Sequence, residues 1–230
     1  MTAPWIEARF VERPNRFLIR ATVGRRTVEA YLANSSRLGE LLLPGARLRV
    51  VPAEGEQRST RYDALAVWKG GEWVCLDTRL SNLAVAEALR VRILPEFARF
   101  RSVRAEARWR ESRFDFLLQN PGRCWLEVKT CSLLRGRRAV FPDAPTARGT
   151  RHVSHLAELA ARGDAAALLI LVLRRAERFS PNDETDPEFV RALRSAKEAG
   201  VDIIARRAHL RGLRLEVDRR IPIDLSRGGR

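Results

Sequence analysis

The sequence is short of the residues from which many protein sites are built. Only three histidines, three cysteines and one methionine occur among 230 residues. The cysteines, Cys75, Cys124 and Cys131, are odd in number, form no C-x-x-C pair and have no histidine cluster beside them. Zinc sites and disulfide frameworks depend on such patterns, so both are disfavoured. We expect the three thiols to pack as small apolar groups in a reducing compartment.

Long hydrophobic runs are also missing. The longest covers residues 165–173, whereas a membrane-spanning helix needs about 20 apolar residues. The first seven residues contain neither the basic segment nor the apolar segment of a secretory signal. These absences predict a soluble, cytoplasmic protein that has no membrane partner.

Lysine is scarce, but positive charge is not. Lys69, Lys129 and Lys197 are the only lysines, yet arginine brings the formal net charge to +15. Genome composition is one explanation for the preference for arginine. A charge of this size on 26.1 kDa still favours an anionic partner, most simply nucleic acid, with DNA and RNA both open.

The most informative stretch is residues 113–130, which predicts a β-hairpin. Two runs rich in Phe, Leu, Trp and Val flank an Asn-Pro-Gly turn signal. Asp115, Glu127 and Lys129 nevertheless lie inside the strands, where charge is poorly favoured. Because side chains alternate along a strand, Glu127 and Lys129 share a face.

A turn centred on Pro121 would place Asp115 directly opposite Glu127. Two facing carboxylates repel, and each raises the pKa of the other unless a positive charge lies between them. A divalent cation suits this position because hard ions bind carboxylate oxygens. The alternative is an ordinary surface hairpin that carries a salt bridge.

The chain is predicted to contain two domains. Its predicted fold class is α/β, or α+β when both domains are taken together. Residues 1–80 contain five short strand-like runs separated by turns, at 16–23, 27–32, 47–51, 61–68 and 72–76. This pattern predicts an oligonucleotide-binding (OB)-like five-stranded β-barrel. Residues 81–225 predict a mixed sheet flanked by helices, in the order helix, three strands, helix, strand, helix, strand, strand. Residues 226–230 are expected to be a disordered tail.

Several polar residues outside the hairpin are candidates for a site. Asn34 and Arg37 lie in a polar loop of the barrel, where they either cap a short helical run or contact a phosphate or base edge. Asp143 and Arg148 are the charged residues of a proline-containing segment, 139–149, that we expect to be a loop, where an internal ion pair is the alternative to a role in the site. His155 and Glu158 lie one turn apart on a predicted helix, 150–162, where a packing role for the histidine is the alternative.

The order of elements, with Asp on the second strand of the meander and Glu-x-Lys on the third, resembles the PD-(D/E)xK nuclease core. In that superfamily a preceding helix often carries a glutamate that joins the metal site, and Glu87 occupies the matching place. The backbone carbonyl between Glu and Lys commonly binds the metal too, which here is the carbonyl of Val128.

A longer series of motifs covers most of the chain and is similar to the sugar fermentation stimulation protein A family. The matching segments are Asn15-Arg16-Phe17, Asn34-Ser35-Ser36-Arg37, Asp77-Thr78, Asn82, Glu87-Ala88-Leu89, Ser112-Arg113-Phe114-Asp115-Phe116, Glu127-Val128-Lys129, Phe141-Pro142-Asp143-Ala144, Thr146, Arg148-Gly149 and His155-Leu156-x-Glu158-Leu159. The resemblance implies DNA-binding proteins, often described as nucleases, that combine an OB-type domain with a nuclease-like domain.

From this resemblance we expect a Mg²⁺- or Mn²⁺-dependent nuclease with Asp115, Glu127, Glu87 and the Val128 carbonyl as metal ligands. Lys129 would complete the catalytic set. The expected cleft-lining residues are Asp143, His155 and Glu158, and the expected nucleic-acid contacts are Arg16, Asn34, Arg37, Arg113 and Arg148.

Two other functions remain open. One is a non-catalytic DNA-binding protein on a nuclease scaffold, and the other is a regulator of sugar metabolism. The oligomeric state is not fixed by the sequence, and a homo-oligomer is one possibility.

Overall fold

The computed structural model describes residues 4–55 and 58–226 and divides into two compact units. The first runs to Ser81 and includes the hairpin tip His209–Glu216, and the second contains residues 82–208 together with the segment from Val217 onward. The predicted ranges of 1–80 and 81–225 differ from this division mainly at the hairpin tip. The predicted tail, apart from Ser226, lies outside the described residues.

The first unit is a closed barrel. Its strands pair in the order β3-β2-β1-β4-β5, and a parallel pairing of β3 with β5 closes the cylinder. β6 pairs with the end of β5 in an antiparallel hairpin. The bounds are β1 (Ile6–Asn15), β2 (Leu18–Val23), β3 (Arg26–Tyr31), β4 (Arg47–Pro52), β5 (Tyr62–Lys69) and β6 (Glu72–Cys75). The OB-like five-stranded barrel is therefore confirmed.

Strand β1 completes the barrel and was not among the five predicted runs. It alternates buried Ala8 and Phe10 with exposed charged residues, as a half-buried strand should. Pro14 and a dense set of charges hide this alternation, and the strand is irregular, with register shifts against β2 on both sides of Glu12. The last predicted strand, 72–76, corresponds to β6, which is not one of the five strands that close the barrel.

The second unit is built on a six-stranded mixed sheet of order β15-β14-β12-β9-β8-β7. β7, β8 and β9 form an antiparallel meander, and β9, β12 and β14 run parallel. The bounds are α1 (Arg79–Arg90), β7 (Ser102–Trp109), β8 (Ser112–Gln119), β9 (Arg123–Cys131), β10 (Leu134–Arg135), β11 (Arg138–Phe141), α2 (Ala147–Ala161), β12 (Ala165–Val172), β13 (Arg178–Pro181), α3 (Pro187–Glu198), β14 (Asp202–Arg211) and β15 (Arg214–Arg220). The predicted mixed sheet flanked by helices is confirmed, and the six strands of this sheet and the three helices follow the predicted order.

A second, three-stranded sheet of order β10-β11-β13 was not predicted. The segment 139–149, which we expected to be an irregular loop, contains strand β11 and the first turn of α2. The two prolines delimit these elements instead of excluding them. Pro142 follows the last residue of β11, and Pro145 precedes Thr146, whose side chain accepts a hydrogen bond from the Gly149 amide and so caps α2.

Helices α2 and α3 share one core with the sheet. Phe114, Leu156, Leu168, Phe189 and Leu193 are among its fully buried members. Burial of such apolar side chains is the main source of stability and fixes where α2 lies against β8 and β9. Among the described residues, no helix is long and apolar enough to cross a membrane.

Candidate metal centre

Strands β8 and β9 bring the two predicted carboxylates together. The hairpin has the register that the Asn-Pro-Gly turn predicts, with Phe116 opposite Leu126. The regular pairing ends at Phe116 and Leu126, so Asp115 and Glu127 lie directly beyond its last pair. From β8 the Asp115 carboxylate reaches the backbone amide of Val128 on β9.

The Asp115 carboxylate is bound by two donors. Its Oδ2 accepts a hydrogen bond of 2.7 Å from the Val128 amide, and its Oδ1 accepts one of 2.7 Å from Nδ2 of Asn82 on helix α1. Burial raises the pKa of Asp115, and the negative charge of Glu127 raises this pKa further. The two donors oppose the shift but do not cancel it.

The Glu127 carboxylate is more deeply buried, with 3% of the residue exposed. Its Oε1 accepts hydrogen bonds from Nζ of Lys129 and, at 2.6 Å, from Nδ1 of His152. Burial acts to raise the pKa of Glu127, but the positive charge of Lys129 and the hydrogen bond from His152 outweigh it and lower this pKa below its usual value. The lowered pKa favours the ionised form of Glu127 in spite of its burial.

The other oxygen of Glu127, Oε2, is buried and has no hydrogen-bond partner in the part of the chain that the structure describes. A buried anionic oxygen without a partner is costly, and a cation would satisfy it. The Val128 carbonyl adds a third oxygen, because the N–H and C=O of one strand residue point toward the same neighbour and the Val128 N–H points to Asp115. Carboxylate and carbonyl oxygens suit a hard divalent cation.

Two carboxylates and one carbonyl leave part of the coordination of such an ion to water. Within residues 4–55 and 58–226, no three His, Cys, Asp or Glu side chains group closely enough to form a ready-made cage. Mg²⁺ usually retains several waters and uses one or two protein carboxylates. The residues present therefore fit a Mg²⁺-type centre better than a closed structural site.

Helix α2 contributes His152, which the sequence analysis missed. The ring is 2% exposed, packs against Phe114 at a ring distance of 5.7 Å and binds Glu127. On the outer side of the ring, Nε of Arg148 donates to Nε2 at 3.5 Å. Arg148, a predicted nucleic-acid contact, is thereby linked through His152 to the candidate centre.

The predicted cleft residues His155 and Glu158 bind a different feature, the turn between β7 and β8. Nδ1 of His155 is 2.8 Å from Oγ of Ser112, and Nε2 is 3.2 Å from Oε1 of Glu111. Glu158 pairs with Arg110 at 2.7 Å. The histidine that α2 places against Glu127 is therefore the one three residues before His155. Helical spacing puts both on the same buried face, so periodicity alone could not choose between them.

Helix α1 reaches the candidate centre through Asn82. Glu87, which the resemblance implied as a ligand, lies five residues further on and about 140° around the helix from Asn82. Its side chain is 59% exposed and pairs with Arg90 at 2.6 Å. The role of Glu87 as a metal ligand stays a prediction.

Two further predicted residues of this unit lie near its surface. Asp143 is half-buried between β11 and α2. Arg113 is exposed on β8, where it stands opposite Arg108 and pairs with Glu106 at 3.4 Å.

In the barrel, the structure brings the predicted Arg16, Asn34 and Arg37 together around Arg13. The Arg13 guanidinium donates to the carbonyls of all three residues and to that of Ser36, at 2.7–3.1 Å. The side chain of Asn34 is buried and binds the backbone of Leu76 and Ser36. The short helical run that Asn34 was expected to cap is not formed, because residues 32–46 contain only turns and irregular segments. The side chains of Arg16 and Arg37 lie on the exposed surface.

Comparison with family profiles gives two matches that cover most of the chain. Residues 11–76 match a profile described as the SfsA N-terminal OB domain. Residues 79–212 match a profile described as the sugar fermentation stimulation protein RE domain.

Individual relatives agree with the profiles. A sugar fermentation stimulation protein homolog from Moorella thermoacetica is 43% identical over 214 residues, which is 91% of this chain and 92% of the relative. One from Chloroflexus aurantiacus is 41% identical over 226 residues, covering 97% and 87%. A solved structure described as Pyrococcus furiosus SfsA in complex with Ca²⁺ has a TM-score of 0.90 and 30% identity, with 97% of both chains covered. The chain therefore belongs to the sugar fermentation stimulation protein family.

Proposed function

We propose that this protein is a metal-dependent nuclease that hydrolyses phosphodiester bonds in DNA or RNA. The observation that carries the proposal is the buried, unpartnered Oε2 of Glu127, set beside Asp115 and Lys129. A structural ion pair would leave no anionic oxygen without a partner, whereas a cation-binding centre requires one.

The proposed cofactor is Mg²⁺ or Mn²⁺, held by Glu127 Oε2, Asp115 and the Val128 carbonyl. The Pyrococcus furiosus relative was solved in complex with Ca²⁺, which supports a divalent-cation site in the family. Ca²⁺ and Mg²⁺ both prefer oxygen ligands and differ chiefly in size and coordination number. When bound, the cation would supply Lewis acidity to a phosphate oxygen and lower the pKa of water.

Lys129 is the residue that would act on the reacting groups. Its ammonium binds Glu127 on one side, and 17% of its side chain remains exposed. Nζ has three protons, so the ammonium can hold Glu127 and still donate to an attacking water or to a phosphate oxygen. A positioned donor of this kind stabilises the charge that develops in the transition state.

Nucleic acid is the proposed substrate because of the net charge of +15 and because the barrel presents aromatic rings near exposed arginines. Phe17 is 46% exposed and stacks on Tyr31 at a ring distance of 6.3 Å. The guanidinium of Arg58 lies 5.4 Å from the Tyr31 ring. OB barrels bind oligonucleotides through charge and base stacking, and this surface offers both.

The second candidate is a nucleic-acid-binding protein without catalysis, as a regulator of sugar metabolism would be. It is favoured by the same net charge and by the family's description. Both candidates predict binding that weakens with salt. Only the nuclease requires a divalent cation and Lys129.

A cleavage assay with matched substitutions tests the proposal. Labelled single- and double-stranded DNA and RNA are incubated with the protein in Mg²⁺, Mn²⁺ or EDTA. Lys129→Met should slow cleavage about 100- to 1000-fold, and Asp115→Asn should abolish it. The controls are Lys197→Met and Asp202→Asn, which change exposed residues of the same types and should leave the rate unchanged.

Cleavage that needs the metal and is lost only in the Lys129 and Asp115 variants would support the nuclease and identify its substrate. Salt-sensitive binding with no cleavage by the wild-type protein in any metal would sink the catalytic proposal in favour of the second candidate.

A further inference from the structure

His152 is the most deeply buried polar side chain that contacts the candidate centre. Both ring nitrogens are engaged: Nδ1 with Oε1 of Glu127 at 2.6 Å, and Nε2 with Nε of Arg148 at 3.5 Å. The arginine can only donate, so Nε2 accepts and the ring proton is carried by Nδ1, which faces the carboxylate. Arg148 therefore sets the orientation in which His152 donates to Glu127.

This donor decides which oxygen of Glu127 remains for a ligand. A carboxylate oxygen has two lone-pair directions. On Oε1, His152 takes one and Lys129 takes the other, while Oε2 has no partner among the described residues. The protein thus uses both lone-pair directions of Glu127 Oε1 and leaves Oε2 available to a ligand.

We infer that His152 is a positioning residue that keeps Glu127 a one-oxygen ligand and thereby biases the centre toward Mg²⁺ and Mn²⁺ relative to Ca²⁺. The inference rests on the metal centre of the proposed function. Mg²⁺ requires a near-octahedral shell at 2.0–2.1 Å and accepts one oxygen from each carboxylate, whereas Ca²⁺ takes 6–8 ligands and readily binds both oxygens of one carboxylate. Loss of the His152 donor frees one lone-pair direction of Oε1, so Glu127 can bind the cation through both carboxylate oxygens.

Three substitutions separate this role from simple packing. In His152→Asn, the side-chain amide can place an N–H close to the position of Nδ1, so the hydrogen bond to Glu127 is retained. In His152→Gln, the longer amide places it near the position of Nε2, on the side of Arg148. His152→Phe keeps the ring volume beside Phe114 and removes both nitrogens.

The measurement is calorimetric titration of the metal-free, full-length protein with MgCl₂, MnCl₂ and CaCl₂, without nucleic acid. The Phe and Gln variants should lose about 10- to 100-fold in affinity for Mg²⁺ and Mn²⁺, the usual effect of removing a group that orients a metal ligand. Their affinity for Ca²⁺ should fall much less, so the Mg²⁺/Ca²⁺ affinity ratio drops about tenfold or more. The Asn variant should recover most of the wild-type ratio.

The affinity ratios decide whether His152 has the inferred role. Equal ratios in the wild type and the Phe and Gln variants, or equal loss in the Asn variant, would overturn the role of His152 while leaving the nuclease proposal intact. If the wild-type protein binds none of the three cations, the metal centre itself is wrong and both proposals fall. Thermal melts of each variant show whether it is folded, and a folded Gln variant suffices for the comparison with wild type.

Discussion

At the scale of single residues, the two carboxylates of the candidate centre have pKa values that are shifted in opposite directions. Asp115 has its pKa raised by burial and by its neighbour, whereas Glu127 has its pKa lowered by Lys129 and His152 in spite of burial. The negative charge of Glu127 is one cause of the raised pKa of Asp115, and a cation bound by both carboxylates would offset this repulsion.

The thiols give a prediction at this scale. Burial raises the pKa of both Cys75 and Cys124 to about 12, and Cys131 is also buried. At pH 8 the thiolate fraction of the first two should be on the order of one in ten thousand. The native protein should therefore react with Ellman's reagent at a negligible rate, and all three thiols should react in 6 M guanidinium. A thiol that is titrated within seconds in the native protein would contradict this assignment.

The pKa shift of the thiols also fixes a sign for stability. A thiol whose pKa is higher in the folded state holds its proton more tightly there, so its contribution is complete below the unfolded value of about 8.5 and declines as the pH rises above it. The urea concentration at the midpoint of unfolding should therefore decrease as the pH is raised from 8 to 10. A rise in the midpoint over that range would contradict the assignment.

The residues of the centre were predictable to different degrees. Asp115, Glu127 and Lys129 stand out because charge inside an aromatic strand is unusual, and strand alternation relates the last two. His152 and His155 share the buried face of one helix, and only the position of α2 against β9 separates their roles. That position depends on packing between segments distant in sequence, which periodicity does not encode.

At the scale of elements, the start of helix α2 determines where Arg148 and His152 point. Thr146 caps the helix by accepting a hydrogen bond of 3.1 Å from the Gly149 amide. A Cβ on Gly149 would lie 2.7 Å from Oγ1 and 2.9 Å from Cγ2 of Thr146. Glycine is needed here because the cap folds back over it.

Gly149→Ala should therefore destabilise the protein. The threonine must rotate away and the cap is lost, which costs more than alanine gains in helix propensity, for a net loss of about 1–2 kcal/mol. For a chain of this size the melting temperature should fall by about 2–8 °C. Gly39→Ala is the control, because nothing lies within 4 Å of its added Cβ. An unchanged or higher melting temperature for Gly149→Ala would show that the cap adapts.

Most elements were predictable because local signals agree with the tertiary structure. The Asn-Pro-Gly turn fixes the register of β8 and β9, and the apolar run 165–173 marks the buried parallel strand β12. Strands β11 and β13 carry weak signals of their own and form through parallel pairing with each other. Such pairing over about forty residues is invisible to local pattern.

At the scale of the whole molecule, the net positive charge is the feature that favours the anionic partner of the proposed function. Positive side chains exceed negative ones by 15, and several exposed arginines, including Arg16 and Arg37, lie on the barrel. The barrel was predictable as a class from the count of short strands and turns. Its closure by β3 and β5 was not, because it depends on one short parallel contact between Ala30 and Tyr62 and their neighbours.

Binding of nucleic acid should fall steeply with salt. The logarithm of the binding constant should decrease linearly with the logarithm of the salt concentration, by about 0.7–0.9 per phosphate contact. Arg16→Gln should reduce the slope by about one, whereas Arg25→Gln, which changes an exposed arginine at the turn between β2 and β3, should leave it unchanged. Fluorescence anisotropy between 50 and 300 mM KCl measures both slopes. A slope that is the same in all three proteins would remove Arg16 from the interface.

Strand β9 pairs with β12 in parallel without a break, from Cys124 opposite Ala165 to Cys131 opposite Val172. The position of the candidate centre therefore depends on the number of residues in β9. Inserting or deleting one residue within β9 before Glu127 would turn its carboxylate to the opposite face of the sheet, away from His152, and put a valine or leucine in its place. Evolution can therefore lengthen the loop after this strand, but not the Asn-Pro-Gly turn before it, which sets the register of β9 against β8. Within the strand itself it can exchange residues but cannot change their number.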